Sequence, residues 1–226
     1  MKESKRTIIT TPDGSTTIEI PELKVTYHSR RGAIWESMHV YIQAGLQYVQ
    51  QQVFQKPIYL FEMGFGTGLN ALLTLQEAQN LQIPIHYTTV ELYPLSTGDI
   101  NGLNYPEILQ VDNAIYQKLH TSPWNEDVVI TEFFTLHKVK IGLASFSTQQ
   151  RFHLIYYDAF APAAQSELWT VDIFKKLYNL LQPGGVFVTY CSKSNVRRAM
   201  IAAGFGVKKL PGPPGKREML RADRSL

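Results

Sequence analysis

From residue 57 onward the chain alternates short apolar runs with longer stretches in which apolar positions recur every three or four residues. The runs "PIYLFEM" (57–63), "IHYTTVEL" (85–92), "FHLIYYDAF" (152–160) and "VFVTYCS" (186–192) predict buried strands. "VVITEFF" (128–134) and "HKVKIGL" (137–143) are weaker strand signals. "TGLNALLTLQEAQNLQ" (67–82), "SELWTVDIFKKLYNLLQ" (166–182) and "SNVRRAMIAAGF" (194–205) predict helices. An irregular helical stretch rich in Asn and Pro follows the second strand. Pro183-Gly184-Gly185 predicts a turn. "VKKL" and "EMLRA" predict two short closing strands. Repeated strand–helix units imply an α/β domain, a mostly parallel sheet with helices on both faces.

The first 56 residues follow another rule. "TIITTPDGSTTIEI" reads as two β-rich runs around a Pro-Asp-Gly-Ser turn, which "LKVTY" extends. "WESMHVYIQAGLQYVQQQVF" (35–54) has helical spacing. The expected organisation is a hairpin-and-helix extension over 1–56, packed on a Rossmann-like domain over 57–226.

Composition narrows the class. The chain has 226 residues, 44% hydrophobic and 18% charged, which is the balance of a folded globular protein. One cysteine, Cys191, permits neither an internal disulfide nor a multi-cysteine metal site, and it fits a reducing cytoplasm. The N-terminus has no apolar signal segment, and no apolar run is long enough to span a bilayer. A cytoplasmic protein without a membrane partner is expected. The net charge of +3 is uneven: residues 1–31 carry +2, 32–192 carry −6 and 193–226 carry +7. A basic C-terminal segment suits a phosphate-rich partner, and a solvated basic tail would look the same.

The chemistry concentrates at two strand ends. "EMGFGTG" places Gly64, Gly66 and Gly68 between the first parallel strand and its helix, with Phe65, Thr67 and Asn70 among and after them. Glycines there let the backbone turn tightly and let a ligand approach the main chain. The spacing is G-x-G-x-G, one residue shorter than the dinucleotide fingerprint, and acidic Glu62 precedes it. A carboxylate beside the loop suits a ligand bearing an ammonium better than one bearing phosphates. S-adenosylmethionine has an amino-acid end, a sulfonium and no phosphate. Glu91 ends the second strand, where a carboxylate can accept both ribose hydroxyls. A nicotinamide-type loop or a glycine turn without ligand are the competing readings.

Asp158 ends the fourth parallel strand, which is expected to face the first across the ligand crevice. Asp158 can accept from an amine while Phe160 offers an apolar face, or it can simply cap a turn.

These stretches resemble a known family. "FEMGFGTGLNALLTL", "VELYPL", "YYDAFAPAAQSELWT" and "AAGFGVKKLPGPPGKREML", with "TPDGSTT" and "WESMHVYIQAGL" upstream, are similar to the methyltransferase part of the MnmC/MnmD tRNA-modification enzymes. The likeness covers nearly the whole chain. It implies a class I S-adenosylmethionine-dependent methyltransferase fold and methylation of 5-aminomethyl-(2-thio)uridine at the tRNA wobble position. In fused members an FAD-dependent oxidase domain follows. This chain is expected to be the stand-alone methyltransferase, holding no FAD, with a separate oxidase acting earlier as a candidate partner.

Carried over by residue, Glu62, Gly64, Gly66, Gly68 and Glu91 match the donor site, and Asp158, Phe160 and Pro162 the acceptor side. Glu36 and His39 match a segment bordering the donor pocket. Leu143 stands where many such enzymes have an acid for the adenine amino group. Adenine recognition would then rest on backbone groups, unless the register is shifted. Lys193, Arg197, Arg198, Lys208, Lys209, Lys216 and Arg217, with Arg30 and Arg31, are the candidate tRNA contacts. The implied chemistry needs no metal. An ammonium has no lone pair, so the acceptor amine must react neutral, and orientation of that amine is the preferred role of Asp158 over general base. An aminopropyltransferase, a small-molecule N-methyltransferase and a non-catalytic methyltransferase-like subunit are the alternatives.

Overall fold

The computed structural model describes residues 5–52 and 57–225. The expected boundary at residue 56 and the end of the predicted helix, 53–54, lie outside the described residues.

The N-terminal segment forms a three-stranded antiparallel sheet of β1 (Thr7–Thr10), β2 (Thr16–Ile20) and β3 (Val25–Thr26). Its first turn closes because the Asp13 carboxylate accepts from the backbone N–H of Ser15 at 3.1 Å and of Trp35 at 3.0 Å. A continuous helical segment follows: α1 (Ala33–Ser37), a π-helical stretch Met38–Gln47, and α2 (Tyr48–Gln50). It begins two residues earlier than the periodicity predicts. Its middle winds with π geometry, which rotates side chains relative to an α-helix and often marks functional sites.

The large sheet contains β4 (Ile58–Met63), β5 (Ile85–Val90), β6 (Asp127–Thr131), β7 (Phe134–Val139), β8 (Phe152–Tyr157), β9 (Leu181–Thr189), β10 (Gly206–Pro211) and β11 (Glu218–Asp223). Its order is β10-β11-β9-β8-β4-β5-β7-β6. The five central strands β9-β8-β4-β5-β7 are parallel, and β6, β11 and β10 join antiparallel at the edges. Helices α3 (Leu69–Leu81), α4 (Thr97–Asn101), α5 (Tyr105–Leu109), α6 (Asn113–Thr121), α7 (Val171–Leu180) and α8 (Ser194–Ala202) connect them.

All six residues of β8 are buried, as expected for a central parallel strand covered on both faces. Neighbours in sequence serve opposite faces. Leu60, Leu154 and Tyr156 pack with α3 and the π-helical segment, whereas Phe61, Ile155 and Tyr157 pack with α7 and α8. Each large side chain so buried contributes about 1.5–3 kcal/mol, which fixes the strand ends that carry the chemistry.

Two predicted elements differ. The helix expected over 166–182 is a 3₁₀ turn, Ser166–Trp169, then α7. Thr170 separates them, because its hydroxyl accepts from the Ile173 N–H at 3.4 Å as an N-cap. The Pro183-Gly184-Gly185 turn is absorbed into β9 as an excursion where its register against β8 shifts between Phe152 and Leu154. Among the described residues no helix is long and apolar enough to cross a membrane.

Candidate active site

The site forms where β4 and β8 end side by side. Met63 is in register with Tyr157, so Gly64 and Asp158 emerge as immediate neighbours. A Cβ on Gly64 would lie 3.5 Å from the Asp158 carbonyl oxygen. This corrects the expected placement across a crevice: the strands are adjacent, and the acid stands beside the loop.

Gly64, Gly66 and Gly68 all have positive φ, at 89°, 48° and 72°. At Gly66 a side chain would be strained and its Cβ would meet the Tyr27 ring at 3.1 Å. Phe65, Thr67 and Gly68 turn inward and anchor the loop. The Thr67 hydroxyl bonds His28 Nε2 at 2.6 Å, and its carbonyl accepts from Tyr116 at 2.8 Å and His120 at 3.1 Å. Phe65 packs 5.1 Å from the His120 ring. Burial holds both histidines neutral, with pKa values near 4.

Above this base lies a bridge of buried polar groups. The Asn70 side-chain N–H₂ donates to Glu62 Oε1 at 3.1 Å and to Asp158 Oδ2 at 2.9 Å. Glu62 is 1% exposed and also accepts from the Thr89 hydroxyl at 3.1 Å. Burial first, and the Asp158 charge second, hold the Glu62 carboxyl well above the usual range. Burial also raises Asp158, while hydrogen bonds from Tyr41 and Asn70 and the Lys216 charge pull it back. The Tyr41 hydroxyl donates to Asp158 Oδ1 at 2.7 Å. Two buried acids, one of them with no cation acting on it, favour a cationic or polar hydrogen-bearing ligand.

Glu91 follows β5. Its oxygens accept from the N–H of Gly66 at 3.1 Å and of Tyr93 at 2.8 Å. A carboxylate retains lone pairs beyond these two bonds for ligand hydroxyls.

On the acceptor side, Phe160 packs edge-on against Tyr27, ring centroids 5.1 Å apart. Its backbone is pinned by Gln165 and by the Trp169 indole N–H, at 3.1 and 2.9 Å. Pro162 lies half-buried in the same turn. Glu36 pairs with Lys216 and accepts from the Ser29 N–H at 3.0 Å. His39 is directed elsewhere, donating to the Pro211 carbonyl at 2.8 Å. Leu143 is buried among Phe61, Val90 and Phe146 and offers adenine no polar group.

Lys193, Arg198 and Arg217 are exposed, whereas Arg197 is half-buried. Lys208 is exposed, and Lys209 pairs with Glu218 at 2.9 Å. Arg30 pairs with Glu19, and the Arg31 side chain lies across Gly215.

A profile of the S-adenosyl-L-methionine-dependent methyltransferase family matches residues 111–225. The chain belongs to this family. The methyltransferase is 30% identical to the tRNA 5-methylaminomethyl-2-thiouridine biosynthesis bifunctional protein MnmC of Ectopseudomonas mendocina, over 86% of this chain and 31% of that protein. The Burkholderia multivorans protein of the same name is 29% identical over 90% of this chain and 33% of its own length. The chain thus spans about a third of the length of the curated relatives it matches. Among solved structures, MNMC2 from Aquifex aeolicus matches with a TM-score of 0.77 and 24% identity, over 99% of this chain and 72% of that one. Spermidine synthase from Thermotoga maritima matches at 0.57 and 13%, over 97% and 69%. Both likenesses establish the class I methyltransferase fold, a mostly parallel sheet preceded here by an N-terminal antiparallel hairpin.

Nothing in the sequence marks Tyr27, His28, Tyr41 and Tyr190 as site residues. A tyrosine on a helix face carries no signal of the carboxylate it will meet more than a hundred residues later.

Proposed function

We propose that this methyltransferase acts on the amine of 5-aminomethyl-(2-thio)uridine at the tRNA wobble position, giving the 5-methylaminomethyl nucleoside. The observation that carries the reading is the position of Asp158, adjacent to the Gly64 turn and bridged through Asn70 to Glu62. The similar proteins named for biosynthesis of that nucleoside support it.

The residues present fit the methyl donor. The buried Asn70 Oδ1 finds no hydrogen-bond partner among the described residues, so a ligand N–H would satisfy it. Gly64 and Gly66 would hold the donor against bare backbone, Glu62 and Asn70 would face its ammonium, and Glu91 its ribose. When bound, S-adenosylmethionine supplies a methyl carbon on a sulfonium sulfur, which a neutral amine displaces while the C–S electron pair returns to sulfur. Asp158 accepts an N–H of the amine and aims its lone pair. Tyr41 and Asn70 fix the carboxylate, so little reorganisation is needed when substrate arrives. Phe160 and Tyr27 give the uracil ring an apolar wall.

For tRNA, the exposed Lys193, Arg198 and Arg217 would meet phosphates, and a splayed wobble base would reach the site. A flavin-dependent oxidase acting earlier is the proposed source of the amine, and the cytoplasm the proposed location.

The experiment is nucleoside analysis of aminomethyluridine-containing tRNA after incubation with the protein and methyl donor. Appearance of the methylaminomethyl nucleoside supports the reading. Unchanged tRNA alongside alkylation of a small diamine such as putrescine would overturn it.

A further inference from the structure

Lys216 reads from the sequence as a phosphate contact, but its surroundings are those of a site residue. Its ammonium pairs with the carboxylate of Glu36, which is 6% exposed. It also lies 4.1 Å over the ring centroid of Tyr190. The Tyr190 hydroxyl in turn donates to the carbonyl of Ala159, the residue after Asp158, at 2.9 Å. The turn that presents Lys216 is closed by bonds from Gly212 N–H to the Arg217 carbonyl at 3.1 Å and from Lys216 N–H to the Pro213 carbonyl at 2.9 Å. Arg31 packs across that turn at Gly215. A lysine recruited only for phosphate would gain nothing from a buried acid that restrains it.

The groups in contact with this ammonium are Glu36, from the helical segment, and Tyr190, from beyond β9. Tyr190 leads on to Ala159 and so to Asp158 at the end of β8, Cys191 follows Tyr190, and Arg31 of the N-terminal segment packs on the turn at Gly215. Glu62 lies behind Asp158. The Lys216 charge lowers the proton affinity of Asp158 against the dominant effect of burial, and acts likewise on the Cys191 thiol.

Asp158 alone presents a difficulty for amine methylation. A carboxylate that orients the amine also favours its protonated form, which has no lone pair to offer. A cation held close by offsets that preference.

We propose that Lys216, held by Glu36 over the Tyr190 ring that bonds the residue after Asp158, sets the charge of the acceptor site: it disfavours a second cation there and keeps the substrate amine neutral and nucleophilic. The inference rests on the amine-methylation reading. Lys216 acts through the charge of the substrate and the position of Asp158, and takes no proton itself.

The test compares the parent, Lys216→Met and Lys216→Arg in kcat at saturating aminomethyluridine-containing tRNA from pH 6.5 to 9.5, since kcat reports ionisations in the bound complex. In Lys216→Met the acid limb should move up by about one pH unit, and in Lys216→Arg it should stay with the parent. The double variant Lys216→Met with Glu36→Gln avoids leaving the buried Glu36 carboxylate without its partner. It should keep an upward shift of smaller size, which separates charge from any folding defect. A second readout is the carbon-13 carboxyl titration of Asp158 in the ligand-free protein, assigned with Asp158→Asn. Its midpoint should rise in Lys216→Met. Coincident pH profiles for parent and Lys216→Met, an unmoved Asp158 titration, or a raised KM for tRNA with no movement of the limb would each overturn the proposal. A parent that fails to methylate tRNA would instead remove the substrate assignment, and the carboxyl titration would still decide whether Lys216 controls the charge at Asp158.

Discussion

Tyr41 donates its hydroxyl to Asp158 Oδ1 over 2.7 Å, joining the π-helical segment to the end of β8 across 117 residues of chain. Hydrogen bonds to charged groups are worth about 1.5–3 kcal/mol. Tyr41→Phe should therefore lower kcat/KM about ten- to a hundred-fold. Calorimetry should show S-adenosylmethionine binding retained. A variant as fast as the parent would show that the bond only supports packing.

Asp158 itself separates two roles. Asp158→Ala removes the acceptor and should cost about two to four powers of ten in rate, with donor binding preserved. Asp158→Asn can still accept one hydrogen bond but takes no proton near neutral pH. Substantial turnover in Asn with almost none in Ala identifies orientation, and equal losses identify a base or charge role.

Gly66 has φ 48° and faces Tyr27. Gly66→Val adds strain of about 1–3 kcal/mol and places a branched side chain where the backbone should meet the donor. Calorimetry should detect S-adenosylmethionine binding in the parent and none in the variant, with a lowered thermal midpoint. Undiminished binding would move the donor away from this loop.

Lys138 is fully buried on β7, donating to the carbonyls of Leu119 at 2.8 Å and His120 at 2.6 Å at the end of α6. Burial lowers its pKa to about 8 from 10.5. The unfolded chain thus holds this proton more tightly than the folded one. The cost of burying the charge is fully present below pH 8 and is relieved as pH climbs from 8 towards 10.5. Stability of the parent relative to Lys138→Met should rise across that window, measured by urea unfolding at pH 7, 8.5 and 9.5. A constant difference would mean that the ammonium is solvated.

Lys193 and Arg198 are exposed at the start and middle of α8. Reversing both to Glu should raise the KM for tRNA and reduce its salt dependence, because fewer counterions are released on binding. Donor affinity should be unchanged. Intact tRNA binding at every salt concentration would return α8 to an ordinary solvated face.

What could be read from the sequence was local. The G-x-G-x-G run, Glu62 before it and Asp158 after "FHLIYY" each sit at a strand end, and strand ends are marked by short apolar runs that need no partner to be recognised. The same locality explains the errors. Thr170 interrupts an unbroken apolar period because its hydroxyl caps α7, a single hydrogen bond that periodicity does not weigh. The π winding that brings Tyr41 to Asp158 leaves no trace in residue spacing. His39 shares a helix with Glu36, yet only Glu36 reaches the site, since the two project in different directions. Lys216 reads as one more cation in a basic tail until Glu36 and Tyr190 are seen around it.

The pairing of Glu36 with Lys216 spans 180 positions, and β11 inserts between β9 and β10 after both have been made. On the ribosome the donor loop and Asp158 are synthesised well before the residue that completes their surroundings. The surroundings of the candidate site are therefore completed only when β10 and β11 join the sheet. Contacts so distant in sequence are slow to form, so a chain in which β11 has not yet paired with β9 has its donor loop in place but lacks Lys216 against Glu36.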